Sequence, residues 1–270
     1  MTTGTPFDAT LEIRRPSSQV AEVWLNRPEV RNAFNDGVIA ELTAAFTQLG
    51  ADPDLRVIVL AGHGKAFCAG ADLGWMREMA GYDWNANHAD AARLAQMLWT
   101  IYSCPVPVIG RIHGDCYAGG VGLAAVCDVL VAAEHMQFCL SEARLGLLPA
   151  TIGPYVVRAL GEQASRRYFI TAERFGALQA HALGFVHEVV PIDRLDGRIA
   201  EIVAALVANG PMAVRACKRL VKDVAGRDVD AALRDDTARR IADIRSSTEG
   251  KEGVQAFLNK REPAWNSRSD

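Results

Sequence analysis

The spacing of apolar residues divides the chain into two regimes. In the first half, short strand-like runs alternate with helical ones. Residues 10–14 and Val20–Leu25 read as a hairpin-like pair around a loop at Pro16-Ser17-Ser18. Residues 35–50 then set Val38, Ile39, Leu42, Ala45, Phe46 and Leu49 at helical spacing. Residues 57–61 form a short apolar strand ending in Gly62 and Gly64, and 90–103 a second helix. Residues 105–112 form a strand whose prolines mark its start, 120–127 a helical stretch and 129–132 another strand. This β-then-α rhythm predicts an α/β core. From 193 onward the pattern is almost wholly helical: 194–208, 212–225, 230–245 and 251–260, broken at Gly210-Pro211, Gly226 and Gly250. We therefore divide the chain into a core, 1–192, and a helical C-terminal region, 193–270, of the kind that packs against a partner subunit.

Composition narrows the function classes. At 270 residues, half of them apolar, the chain is long enough for one sizeable core with an appendage. The net charge of −3 is spread along the sequence and argues against a nucleic-acid footprint; Arg166-Arg167 and Lys218-Arg219 read as solvated helix faces. Six cysteines show no CxxC pair and no zinc-type spacing with histidine, so a reduced, cytoplasmic protein without a metal site is expected. Met1-Thr-Thr-Gly-Thr5 has no signal-peptide character, and no apolar run of about eighteen residues spans a membrane.

Candidate chemistry is concentrated in three segments. Two are glycine-rich loops, Ala66-Phe-Cys-Ala-Gly-Ala-Asp72 and Gly114-Asp-Cys-Tyr-Ala-Gly-Gly-Val-Gly122. The third, Phe138-Cys-Leu-Ser-Glu-Ala-Arg-Leu-Gly-Leu-Leu-Pro149, carries Glu142. Glycine lets backbone N–H groups approach a ligand closely, and a nearby carboxylate supplies an acid or base. Together they point to proton transfer beside a stabilised oxyanion. The apolar residues around Glu142 (Phe138, Leu140, Leu145, Leu147) are expected to raise its pKa. Gly120-Val-Gly-Leu-Ala-Ala125 also matches the GxGxxA dinucleotide fingerprint. We reject that reading, because the glycines do not directly follow a strand and the segment lies mid-chain. Asp115 is expected to cap the following turn, and Asp72 to structure its own loop.

The chain resembles the crotonase (enoyl-CoA hydratase/isomerase) superfamily over nearly its whole length. The resemblance rests on Leu25-Asn-Arg-Pro-Glu-Val-Arg-Asn-Ala-Phe34, on 66–72, on His113-Gly114 through Cys127-Asp128, and on Glu142 with Gly146 and Pro149. Shorter words resemble bacterial methylglutaconyl-CoA and carboxygeranoyl-CoA hydratases: Phe67-Cys-Ala-Gly-Ala-Asp-Leu-Gly-Trp-Met76, Ser141-Glu-Ala-Arg144, Arg166-Arg-Tyr168, Thr171-Ala-Glu-Arg-Phe175, and Glu252-Gly253 with Pro263-Ala-Trp265.

The resemblance implies a repeated ββα spiral core, C-terminal helices that form a homotrimer or a dimer of trimers, and an acyl-CoA substrate with no separate cofactor. It places the thioester oxygen between the amides of Ala71 and Gly119, with Glu142 as acid/base. It puts Arg27, Val30, Arg31, Ala69, Gly70, Asp72, Leu73 and Gly120 along the CoA, with Phe257 and Lys260 reaching in from a neighbouring subunit. Trp75, Met76, Gly122 and Arg144 are candidates for the acyl pocket, Arg144 as a partner for a distal carboxylate on a branched acyl group or in a salt bridge. In the two-glutamate hydratases of this family the first acid aligns with Gly122, so here Glu142 is expected to act alone. Three functions follow: a 2-enoyl-CoA hydratase, possessing one acid; an enoyl-CoA isomerase, which needs only one base; and a non-catalytic CoA-ester-binding protein. Pocket size is expected to depend on a mobile segment at 74–89.

Overall fold

The computed structural model describes residues 10–266; the N-terminal pentapeptide read above lies outside them. In chain order the elements are β1 (Leu11–Ser17), β2 (Val20–Leu25), α1 (Asp36–Ala51), β3 (Val57–Gly62), β4 (Ala66–Cys68), α2 (Leu73–Met79), α3 (Trp84–Ser103), β5 (Val108–Ile112), β6 (Asp115–Tyr117) and α4 (Gly119–Ala125). They continue as β7 (Val129–Ala133), β8 (Gln137–Cys139), α5 (Gly153–Leu160), α6 (Glu162–Thr171), β9 (Arg174–Gly176), α7 (Ala177–Ala182), β10 (Glu188–Val190), α8 (Leu195–Ala208), α9 (Pro211–Val224), α10 (Ala231–Ser246) and α11 (Thr248–Leu258).

Successive strands are dealt to two sheets. One has the order β1-β2-β3-β5-β7-β10, the other β4-β6-β8-β9. The pairs β3/β4, β5/β6 and β7/β8 each give one strand to either sheet before a helix follows, which is the ββα spiral the sequence led us to expect. Among the described residues only β1/β2 and β8/β9 pair antiparallel.

Period-two alternation explains how the larger sheet is covered on both faces. On β3, Ile58 and Leu60 face the main core with Phe34, Phe46, Phe67 and Phe138, whereas Val57 and Val59 join Ile109, Val131, Leu195 and Ile199 in a second cluster. Helix α8 forms the cover of that second face, so it packs as part of the sheet layer although it lies beyond position 193. Farther along, α9 contributes no buried residue and is held by polar contacts. Arg215 donates to the carbonyls of Asp52 (2.7 Å) and Leu55 (3.0 Å), and Lys218 donates to that of Val106 (3.1 Å) while pairing with Asp128 (2.6 Å). Lys218 is thus largely buried, not on a solvated helix face as its sequence context suggests.

Three boundaries differ from the sequence reading, each for a local reason. Strand β1 runs on through Pro16 to Ser17, accommodating the proline at a register shift between Arg14 and Ser17 on an edge strand. Helix α3 starts at Trp84, because the Asp83 side chain caps it by accepting from Ala86 N (2.8 Å). Asp90, at the expected start, is a buried mid-helix residue that accepts from Trp75 Nε1 (3.3 Å). Residues 74–89 therefore belong largely to α2 and the first turns of α3. The strand after Pro105 begins only at Val108. Among the described residues no single helix is long and apolar enough to cross a membrane, and no cluster of His, Cys, Asp and Glu is arranged to hold a metal ion.

Buried Asn32 holds the N-terminal motif to the first glycine loop. It sits in left-handed backbone (φ 55°), which asparagine tolerates better than most residues. Its amide donates to the carbonyls of His63 (2.8 Å) and Ala66 (2.9 Å), and its Oδ1 accepts from Arg27 N (2.9 Å). Asn32→Ala leaves these buried groups unpaired and should cost about 2–4 kcal/mol of stability, read by chemical denaturation.

Candidate active site

The first loop is laid against the N-terminal motif by a bridge between Phe34 and Ala71. Phe34 N donates to Gly70 O (2.6 Å), Asp72 N donates to Phe34 O (2.8 Å), and Ala69 N donates to Arg31 O (3.0 Å). In such a parallel bridge the flanking residues make the bonds, so the N–H of Ala71 itself faces the opposite side. It has no hydrogen-bond partner among the described residues. The second loop turns at Ala118, whose backbone is left-handed (φ 48°, ψ −120°), and the helix α4 begins there with the Gly119 amide likewise unbonded.

The two loops touch at their glycines. A methyl group at Gly70 (φ 89°) would lie 2.9 Å from Ala118 Cβ, 3.0 Å from Tyr117 O and 3.4 Å from Gly119 N. One at Gly119 would meet the Phe34 ring at 2.9 Å. Glycine at both positions is what lets the two loops that carry the unbonded amides meet beside Phe34.

Glu142 follows β8, the neighbour of β6 in the smaller sheet. It opens a short 3-10 turn, Glu142–Leu145, closed by Gly146 in left-handed backbone (φ 72°). The residue is half-buried, but its Oε2 is shut off from solvent and has no hydrogen-bond partner. Burial raises its pKa above the ordinary carboxylate value, and a backbone hydrogen bond at the same residue only partly opposes this. The desolvating groups differ in part from those expected. Phe138 and Leu140 are buried, whereas Leu145 and Leu147 are 61% and 55% exposed.

Gly122 leaves no vacancy for a second acid. A Cβ there would lie 2.1 Å from Ile152 Cγ2 and 2.5 Å from Ile152 Cβ. The buried Ile152 side chain occupies the room into which any side chain at position 122 would project. An isolated glycine inside a helical pattern signals close packing. That was the one clue in the sequence, and it does not name the partner thirty residues away.

The residues expected along a CoA fall into two groups. Arg27, Val30 and Arg31 lie beside 69–73, joined by the bridge just described. Arg27 donates to Ala33 O (2.7 Å) and pairs with Asp72 Oδ2 (3.0 Å). Asp72 also caps α2 through Gly74 N (2.7 Å) and Trp75 N (3.4 Å), which, with Arg27, holds its carboxyl below the ordinary value against burial. Leu73 is 68% exposed at the start of that helix. Between α2 and residues 35–37 lies a cavity of about 230 Å³ lined by Asn35, Asp36, Asp72, Trp75 and Glu78. Trp75 is buried, Met76 partly so, and Gly120 packs its Cα against the Cys68 carbonyl, where a Cβ would come within 2.4 Å. Phe257 and Lys260, by contrast, lie at the end of α11, which packs on α9 and α10. Phe257 is 83% exposed, and no side-chain hydrogen bond joins either residue to the loops.

Two expectations are corrected. Asp115 does not cap the following turn: its carboxylate accepts from Gln137 N (3.0 Å) and Tyr117 Oη (2.6 Å), tying β6 to β8. Arg144 makes no ion pair among the described residues; its Nη2 donates to the carbonyl of Ala172 (2.6 Å).

The fold thus sets two unbonded backbone amides in loops that touch, and joins the second loop to the strand leading to the half-buried Glu142, one of whose carboxyl oxygens has no partner. The family model for enoyl-CoA hydratase/isomerase matches residues 15–268, and the chain belongs to that family. It is 30% identical over 253 residues to the 2,3-dehydroadipyl-CoA hydratase of Escherichia coli, covering 93% of this chain and 96% of that one. Its structure resembles an enoyl-CoA hydratase from Shewanella pealeana (TM-score 0.91, 38% identity, 94% and 95% of the two chains). One from Mycobacterium smegmatis is similar to the same degree (TM-score 0.90, 36% identity, 95% and 98%).

Two outcomes test this geometry. Gly122→Ala should destabilise the protein by about 1–3 kcal/mol through overpacking against Ile152, measured by denaturant titration. Glu142→Gln should raise the melting temperature at pH 8. Because burial raises the Glu142 pKa, the native state keeps its proton over a pH interval in which the unfolded chain has lost it. Stability therefore falls as pH rises through that interval. The advantage of the glutamine variant should vanish below the ordinary carboxylate pKa.

Proposed function

We propose that the protein adds water across the double bond of a 2-enoyl-CoA thioester. The observation that carries this is the pairing of the Ala71 and Gly119 amides, both without internal partners, with the desolvated carboxyl of Glu142. The thioester oxygen is held by the two amides. As hydroxyl from water bonds to the β-carbon, the π electrons move toward the carbonyl and build an enolate whose charge those amides stabilise. Glu142 relays a proton from water to the α-carbon, so the thioester regains its carbonyl. Burial raises the carboxyl's pKa, which makes it a stronger base toward water than an exposed carboxylate is.

A second reading, isomerisation of a 3-enoyl-CoA to the 2-enoyl form, is favoured by Ile152 filling the space beside Gly122. That reaction needs one base: Glu142 takes a proton from C2 and returns it to C4 across the same stabilised enolate. For the acyl group we favour a branched, methylglutaconyl-like chain, on the sequence words it shares with such hydratases. The exposed apolar residues Val254, Phe257 and Leu258 of α11 support a homo-oligomer, trimer or dimer of trimers, in which Phe257 and Lys260 reach a neighbour's CoA.

Purified protein incubated with crotonyl-, 3-methylglutaconyl- and 3-enoyl-CoA separates these readings. Loss of the conjugated enoyl absorbance marks hydration, and its gain marks isomerisation. Tight CoA-ester binding with neither change would overturn both. Glu142→Gln should lower kcat by about 10²–10⁴-fold with the better substrate, and near-normal turnover would remove Glu142 from the mechanism.

A further inference from the structure

The turn that presents Glu142 has little to hold it. None of Glu142–Leu145 is buried, and Ser141 provides no side-chain cap. The bonds Arg144 N to Ser141 O (3.1 Å), Gly146 N to Ala143 O (3.2 Å) and Leu147 N to Glu142 O (3.1 Å) are internal to the segment. They shape the turn without fixing where it sits. The apolar residues that follow directly, Leu145, Leu147 and Leu148, are all more than half exposed, and the chain is next buried only at Pro149.

One side-chain bond reaches outside. Arg144 Nη2 donates to Ala172 O at 2.6 Å. Ala172 is a firm fixture, buried to 1% exposure in left-handed backbone (φ 51°), with its own N–H on Tyr168 O (3.1 Å) at the end of α6. The same carbonyl accepts from Cys139 Sγ (3.2 Å). Cys139 lies three residues before Glu142 and Arg144 two residues after it. Both sides of the carboxylate are therefore tied to one buried oxygen. Cys139 also accepts through its carbonyl from Ala118 N (2.8 Å), next to the Gly119 amide. A continuous path of bonds thus runs from the oxyanion amide through Cys139 and Ala172 to Arg144.

We propose that Arg144 is the positioning residue for Glu142, clamping its turn at a set distance from the Gly119 amide. Its charge is used for this and for nothing else visible in the fold. It forms no ion pair among the described residues, and its proximity in sequence does not draw the Glu142 carboxyl down. The guanidinium suits the task because a charged donor bonds a neutral carbonyl more strongly than a neutral one does. This inference rests on the proton-transfer role given to Glu142 above, and it replaces the substrate-contacting role that the sequence suggested for Arg144.

The test compares the full-length protein with Arg144→Met, Glu142→Gln and the double variant. With the best enoyl-CoA of the panel, Arg144→Met should lower kcat about 10–100-fold and leave KM within about threefold, the pattern of a displaced catalytic group. In the Glu142→Gln background the same change should have no further effect on residual turnover, because a clamp acts only through the carboxylate it places. A ¹³C-carboxyl titration, assigned through Glu142→Gln, should show the Glu142 midpoint of Arg144→Met moving down toward the ordinary carboxylate value as water enters the loosened turn. Unchanged kcat, a rise in KM alone, or equal losses in both backgrounds would overturn the proposal. If the wild-type protein turns over no enoyl-CoA, the functional reading fails separately. The titration alone then decides for the clamp, and an unmoved midpoint refutes it.

Discussion

The hydrogen bond from the Ala118 amide to the Cys139 carbonyl is the point on which the site depends. It joins the loop that ends in the Gly119 amide to the strand that delivers Glu142. Ala118 holds left-handed backbone unusual for a residue with a side chain, a conformation that costs on the order of 1–3 kcal/mol and persists only where neighbours enforce it. The enforcement comes from both sides. Gly70 packs directly on Ala118 Cβ, and the Asp115 carboxylate binds β6 to the first residue of β8. The strain thus lies beside the Gly119 amide, one of the two that stand free of the fold's own hydrogen bonds.

Much of this was legible in the sequence. Glycine spacing marked both loops, because backbone without a Cβ is needed where loops meet, and helical periodicity located α1 and the C-terminal helices. Strand-like runs alternating with helical ones marked an α/β core, whereas the ββα order was implied by the resemblance alone. The missing parts are those decided by contacts distant in the chain. Asp90 reads as a helix start, because acidic residues favour helix caps; the Asp83 cap and the hydrogen bond from Trp75 Nε1 to Asp90 show otherwise. Lys218 reads as surface because its neighbours are charged, yet it reaches Asp128 ninety residues back. Arg144 read either as a partner for a distal carboxylate on the acyl group or as one half of a salt bridge, and no such bridge forms among the described residues. Its partner is a backbone carbonyl, which no sequence pattern can mark.

Electrostatics and packing act on Glu142 in the same direction. Few groups stabilise its charge, and the fold pays for this with an unpartnered buried oxygen. Asp72 shows the contrast. It is a carboxylate of the neighbouring loop, but three donors surround it, and it serves the backbone. The two acids are set apart by their hydrogen-bond partners: Glu142 keeps an unpartnered oxygen and a raised pKa, whereas Asp72 is held ionised as a structural cap.

The contact between Gly122 and Ile152 also bears on how such a site can change over generations. A side chain at 122 and a branched side chain at 152 exclude one another, so the two positions cannot vary independently. Enlarging position 122 first overpacks the helix, at roughly 1–3 kcal/mol. Shrinking position 152 first opens a cavity, at roughly 2–5 kcal/mol for loss of an isoleucine side chain. Either step consumes a large part of a domain's usual margin of about 5–15 kcal/mol. A lineage carrying this pair is therefore separated from a carboxylate at position 122 by an epistatic valley, and packing alone is enough to keep glycine there.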